Sequence, residues 1–124
     1  MNLAFLCAAV FGLATFVTHV FVGGVHVVRP LLSAKDLTPA SRWLNYYCWH
    51  ITSLVIVVIA GSFLYASGAP DGRPLALLFT GLTAVLSALS AAVALRAAIS
   101  PFRFPSTSLF ALIAVSGVVG LVLR

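Results

Sequence analysis

Acidic residues are nearly missing from this chain. Its 124 residues include two aspartates, Asp36 and Asp71, and no glutamate. Both aspartates fall in stretches that read as connections, so no carboxylate lies within a long apolar run. Carboxylate-bridged di-metal sites and acid–base catalysis by paired carboxylates therefore lack their ligands. Charge of either sign is scarce: 7% of the residues are charged, against roughly 25% in an ordinary soluble domain. So few polar side chains cannot cover a water-soluble globule, and a 62% hydrophobic content excludes disorder. What remains is an integral membrane protein.

The few charges are mostly basic, seven Lys and Arg against two Asp, for a net +5. No basic stripe interleaved with aromatics lies on one face, so nucleic acid is not an expected partner. The basic residues stand instead at the ends of apolar runs, where they report topology and contact lipid headgroups. No basic residue precedes the first apolar run, which continues to Val28, past signal-peptide length. It reads as a retained span. Position 2 is Asn2, not the glycine of a myristoylation signal, and the chain ends without a prenylation box.

A span takes about 20 apolar residues, and four fit: about 3–28, 44–66, 75–99 and 107–123. Arg29-Pro30 closes the first. Thr38-Pro39 is a cap-like start to the second helix, with proline suited to the first helical position. Pro70-Asp71-Gly72 is a turn signal between spans two and three, and Ser100-Pro101 and Pro105 bracket the last connection. The chain is expected to be a single all-α domain, an antiparallel four-transmembrane-helix bundle. The first connection holds Arg29, Lys35 and Arg42 and the third Arg96 and Arg103; the second holds Arg73 and the C-terminus Arg124. The positive-inside rule then puts connections one and three in the cytoplasm and both termini outside, as in a bacterial inner membrane. Trp43, Tyr46, Tyr47 and Trp49 form an aromatic belt at the start of span two.

Helices in lipid gain little from hydrophobicity alone and approach through small residues. That logic selects Gly12, Thr15, His19, Gly23 and His26 in span one, and Tyr46, His50, Ser53, Val57 and Gly61 in span two. It selects Thr80, Ala84, Ser87, Ala91 and Ala94 in span three, and Ser116 with Gly120 in span four. These faces are expected to line the bundle interior, and spans three and four carry no chemistry of their own.

His19 and His50 are the candidate site. At about 1.5 Å rise per residue, His19 lies about 13 Å from the inner end of span one and His50 about 10 Å in from Trp43, so the two are expected at comparable depth. An intramembrane ionisable residue defaults to a functional reading. Three readings compete. The imidazoles ligate a metal or haem from adjacent helices, they serve a quinone or proton site, or each makes a structural hydrogen bond between helices. Cys48, two residues before His50, is a candidate third metal ligand. The competing expectation for Cys48 and Cys7 is a buried small apolar side chain. In opposite leaflets they are too far apart for a disulfide. The cofactor is left open between haem, a transition metal and none. No nucleophile–base pair or complete metal motif is visible, which argues against an enzyme acting alone. The rival to a ligand site is an accessory or assembly subunit docking on other membrane subunits or on itself, besides lipid.

The runs His19-x3-Gly23-Gly24, Arg29-Pro30-Leu31-Leu32 and Tyr47-Cys48-Trp49-His50-Ile51-Thr52-Ser53 resemble a group of small uncharacterised bacterial four-helix membrane proteins. The resemblance covers about the first half of the chain. It implies a four-span fold in which His19 and His50 belong together. Members carry an acidic residue shortly after the glycines, whereas Val25 and His26 stand here, which removes a carboxylate partner for the histidines. No activity comes with the resemblance.

Overall fold

The computed structural model describes residues 1–123, so Arg124, counted above at the C-terminus, lies outside the described residues. Among the described residues the chain is 86% helical with no strand, as an all-α bundle requires. The order is α1 (Leu3–Val17), a π-helical stretch π1 (Thr18–Val28), α2 (Arg29–Ser33), α3 (Pro39–Gly68), α4 (Arg73–Arg96), a 3-10 turn (Pro101–Arg103) and α5 (Pro105–Val122). Leu3–Ser33, Pro39–Gly68, Arg73–Arg96 and Pro105–Val122 form four helical segments long and apolar enough to cross a membrane. The first segment packs against α3 and α5, and α4 packs mainly against α5.

Each end of these helices has a local cause. Asn2 caps α1: its Oδ1 accepts from the backbone N–H of Ala4 (3.1 Å) and Phe5 (3.2 Å). The same residue donates from its backbone N–H to Ser67 O (2.7 Å) and from Nδ2 to Gly120 O (2.9 Å), so one residue ties the start of α1 to the ends of α3 and α5. Thr38 caps α3 by accepting from the Ser41 N–H (3.2 Å), with Pro39 as the first helical residue. The connection before it is held by Arg42, whose Nη2 donates to Ala34 O (2.5 Å) and Leu37 O (3.4 Å). Helix α4 ends at Arg96, earlier than the apolar run suggests. Ala98 takes a left-handed φ of 55°. Ile99 then donates to Ala94 O (2.9 Å) and Ala98 to Leu95 O (3.1 Å), the bond pattern of a Schellman cap with alanine where glycine is usual.

The first segment departs from an uninterrupted α-helix. Thr18–Val28 is π-helical over 11 residues, a long run for a form found mostly as single turns. Five valines and the Gly23-Gly24 pair in this stretch hold α geometry weakly. Its last bond runs from Arg29 N–H to Gly24 O. Pro30 has no N–H to continue the pattern, and α geometry resumes there instead of stopping as Arg29-Pro30 suggests.

The core occupies the Asn2 end. Phe5, Ile56, Ile59, Phe63 and Ile113 are fully buried among Ala8, Ala9, Ala66 and Ala76, with the Phe5 and Phe63 rings 6.1 Å apart. Glycines set the closest approaches. A Cβ on Gly12 would lie 2.9 Å from the Ala60 Cβ; one on Gly117 would strike Thr80, and one on Gly120 the Phe5 ring.

The interior faces differ from expectation in two helices. On α3, His50, Val57 and Gly61 are exposed, while Ile56, Ile59, Ala60 and Phe63 point inward. Gly12 of α1 meets Ala60, small against small, while the large side chains of Ile56, Ile59 and Phe63 fill the core beside it. On α4 the inward stripe is Ala76, Thr80, Thr83, Ser87, Ser90 and Ala94, with Ala84 exposed. Hydroxyls decide this rotation: Ser87 donates to Thr107 O (2.8 Å), and Ser90 meets Ser106 (2.7 Å) and Thr107 (2.8 Å) across to α5. On α5, Gly117 joins Gly120 on the buried face, with Ser116 at its margin.

Two substitutions test this packing by detergent-to-denaturant unfolding followed by circular dichroism. Gly120→Leu is expected to cost about 2–3 kcal/mol by forcing the Phe5 ring aside, while Gly81→Leu, with nothing within 4 Å of its Cβ, stays within about 0.5 kcal/mol of the parent. Ala98→Gly is expected to stabilise by about 1 kcal/mol by removing the left-handed strain; a loss of stability would show that the cap is not formed.

Candidate functional site

The two ends of the bundle are built differently. No residue of π1 is buried, and between π1, α3 and α5 the helices leave a cavity of about 440 Å³ at the end that carries Arg29, Arg42, Arg96 and Arg103. Its floor is Ile56 and Phe110, from the tight half of the bundle. Its walls include Thr15, Thr18, His19, Gly23 and His26 from the first segment, Trp49 and Thr52 from α3, and Phe104, Ser106 and Leu109 from α5 and the turn before it. Organic ligand sites typically occupy about 300–1,000 Å³, so the space is sufficient for one small molecule.

His19 and Trp49 form the centre of the wall. Their rings stack with centroids 3.8 Å apart and planes inclined by 16°. A Cβ on Gly23 would collide with the far edge of the Trp49 indole, so the missing side chain at 23 makes the slot that the indole fills. The spacing His-x3-Gly thus has a mechanical meaning: position 19 supplies the stacking partner and position 23 the room.

A hydrogen bond fixes the imidazole. His19 Nε2 lies 3.3 Å from Trp49 O, and a carbonyl has no proton to give, so Nε2–H is the donor. In the neutral ring Nδ1 then carries the lone pair and can accept from a ligand. Ser53 Oγ donates to the same carbonyl (3.1 Å). The cavity hydroxyls are largely spoken for by their own helices: Thr15 Oγ1 donates to Phe11 O (2.7 Å) and Thr52 Oγ1 to Cys48 O (3.0 Å). His19 is left as the polar group of the inner wall with hydrogen-bonding capacity to spare, beside Thr18.

The other candidates sit elsewhere. His50, paired with His19 by the sequence, is exposed and does not line the cavity; it meets Tyr46 edge-on, with centroids 4.5 Å apart at 83°. Tyr46 in turn meets Trp43 edge-on at 5.8 Å, so His50 belongs to the aromatic belt on the outer side of α3. One residue along a helix turns a side chain by about 100°, and Trp49 takes the inward position that His50 had been assigned. The sulfur of Cys48 is not turned to the cavity either. Cys48 and Cys7 are both exposed, not buried as small apolar residues, because each lies on a helix face directed away from the bundle. Among the described residues no three His, Cys, Asp or Glu side chains gather in a group able to hold a metal ion. His26, by contrast, does line the cavity, near its mouth.

Trp49 was legible as part of the belt but not as a wall of the site. Its signal was the recurrence of large apolar residues at sevens, Trp49, Ile56 and Phe63, which marks the inward stripe of α3. Phe104 and Arg103 carried no such signal, since a turn and not a helix period brings them to the opening.

Comparison with known proteins found no matching family model, no similar curated protein and no similar solved structure.

The His19–Trp49–Gly23 lock predicts a spectroscopic effect. In a Trp43→Phe background, Gly23→Val should displace the indole, shift the Trp49 emission maximum and flatten its near-ultraviolet circular dichroism, whereas Gly24→Val, with open space at its Cβ, should leave both in place. Equal spectra for the two variants would contradict the lock.

Proposed function

We propose that the cavity of this small integral membrane protein, whose four apolar helices contact lipid, binds a lipid-soluble molecule with a flat polar head of the quinone class, held at His19. The observation that carries this reading is the 3.3 Å contact between His19 Nε2 and Trp49 O. With Nε2–H committed to Trp49 O, His19 offers Nδ1 as an acceptor beside an aromatic stack. A quinol hydroxyl donates to such a nitrogen, and the protonated imidazole can return a hydrogen bond to a quinone carbonyl. The apolar remainder of the molecule would lie along Val22, Ile56 and Phe110.

Among the chemistries open to these histidines, this one suits a single imidazole best. Metal ligation calls for further side-chain ligands around the ion, and joint ligation of a haem by two histidines calls for His50; His50 and Cys48 are turned outward. The residues of the resemblance support the same reading. In His19-x3-Gly23 and Trp49 they are the residues that interlock, so the bacterial four-helix group it suggests would share this wall. In the orientation we infer, both termini face outward across the bacterial inner membrane, and the cavity opens in the cytoplasmic half, beside connections one and three.

Fluorescence of Trp49 tests the proposal. In purified Trp43→Phe protein in nanodiscs, a short-tailed naphthoquinone is expected to quench emission saturably, and His19→Ala to weaken the apparent affinity by about tenfold, the equivalent of about 1.4 kcal/mol for a lost hydrogen bond. Quenching that rises without saturation and is unaffected by His19→Ala would reflect partitioning into lipid and defeat the reading.

A further inference from the structure

The mouth of the cavity carries a second kind of chemistry. Five of the Lys and Arg residues lie at this end, Arg29, Lys35, Arg42, Arg96 and Arg103, but they are not equivalent. Arg42 is turned inward to the carbonyls of Ala34 and Leu37 and holds the first connection. Arg29, Lys35 and Arg96 do not border the opening. Arg103 does. It closes the 3-10 turn ahead of α5, its backbone N–H donating to Ser100 O (2.9 Å), and it is exposed, with no hydrogen-bond or ion-pair partner for its guanidinium among the described residues.

His26 borders the same opening from π1, also exposed and without such a partner for its ring among the described residues, and it offers an N–H donor in either protonation state. Two donors on separate walls thus face one gap, with no acid of this chain to answer them. Asp71 stands at the opposite end, between α3 and α4, and Asp36 does not border the cavity. The start of α5 adds to the positive field, because Phe104 provides no side-chain cap. Around these groups the surface is apolar: Phe102, next to Arg103, is 86% exposed, and Val22 and Val27 flank His26 on the rim.

We propose that an anionic phospholipid of the adjoining leaflet docks its phosphate between Arg103 and His26, with its acyl chains against Phe102 and Val27. Charge complementarity selects an anion, and the apolar rim selects one that carries chains. Basic pockets between transmembrane helices recognise anionic headgroups in this way. The lipid would sit across the entrance, so the site is distinct from the His19 wall and does not depend on what binds there.

The test uses the protein reconstituted in phosphatidylcholine vesicles with spin-labelled phosphatidylglycerol, the motionally restricted fraction giving its association relative to spin-labelled phosphatidylcholine. The parent is expected to prefer the anionic lipid, and Arg103→Gln to cut that preference about fivefold, the effect of one cation at a membrane surface. Arg103→Lys should retain most of it, and Arg73→Gln, at the other end of the bundle, all of it. His26→Ala should lower it in the same direction as Arg103→Gln and provides the reading if the latter does not reconstitute. Equal losses from Arg103→Gln and Arg73→Gln would assign the preference to diffuse charge and overturn the proposal. So would the absence of any preference, or displacement of the lipid by millimolar inorganic phosphate. No quinone is present in this measurement, so its failure and that of the His19 reading are separate outcomes.

Discussion

Lipid does not reward helices for hiding apolar surface, because a leucine is as well solvated by acyl chains as by another helix. Association has to come from close contact, and here it comes from glycines that let a neighbouring helix approach. The Phe5 ring over Gly120, Ala60 against Gly12 and Thr80 against Gly117 bring α1, α3, α4 and α5 together at one end. Asn2 then ties three of those helices by hydrogen bonds whose partners would otherwise be unsatisfied in an apolar surrounding. Everything else in the molecule is arranged around this tight end.

The opposite end is where the same rule is relaxed. From Thr18 onward the first segment changes to π geometry and none of its residues is buried. Helices that meet closely at one end and not at the other enclose a wedge, and the wedge is the cavity. π-Helical turns are frequent at functional sites, and this one displays His19, Gly23 and His26 along a single wall. The packed core and the cavity thus occupy different lengths of the same helices.

The aromatic groups of α3 illustrate how finely that division is drawn. Trp49 and His50 are neighbours in the chain, yet Trp49 stacks on His19 in the interior while His50 lies on Tyr46 at the surface. The adjacent residues face differently: one lines the cavity, the other meets Tyr46 on the outer face of α3. The Arg residues divide similarly, Arg42 turned in to hold a connection and Arg103 turned out at the opening.

Composition and the positions of Pro, Gly and charge determined the all-α class, the four apolar segments and the Thr38-Pro39 start of α3, because these depend on local chemistry: length of apolar run, a missing N–H, a capping hydroxyl. His19 and Gly23 were legible as one face for the same reason. The rotation of each helix about its axis was decided only by the assembled bundle. It depends on which large side chain fills which gap and which hydroxyl finds an acceptor across an interface, and those partners lie 16 to 118 residues apart in the chain. That is why Thr83 and Ser90 replaced Ala84 on α4, and why the indole of Trp49, one residue from the imidazole expected there, became the companion of His19.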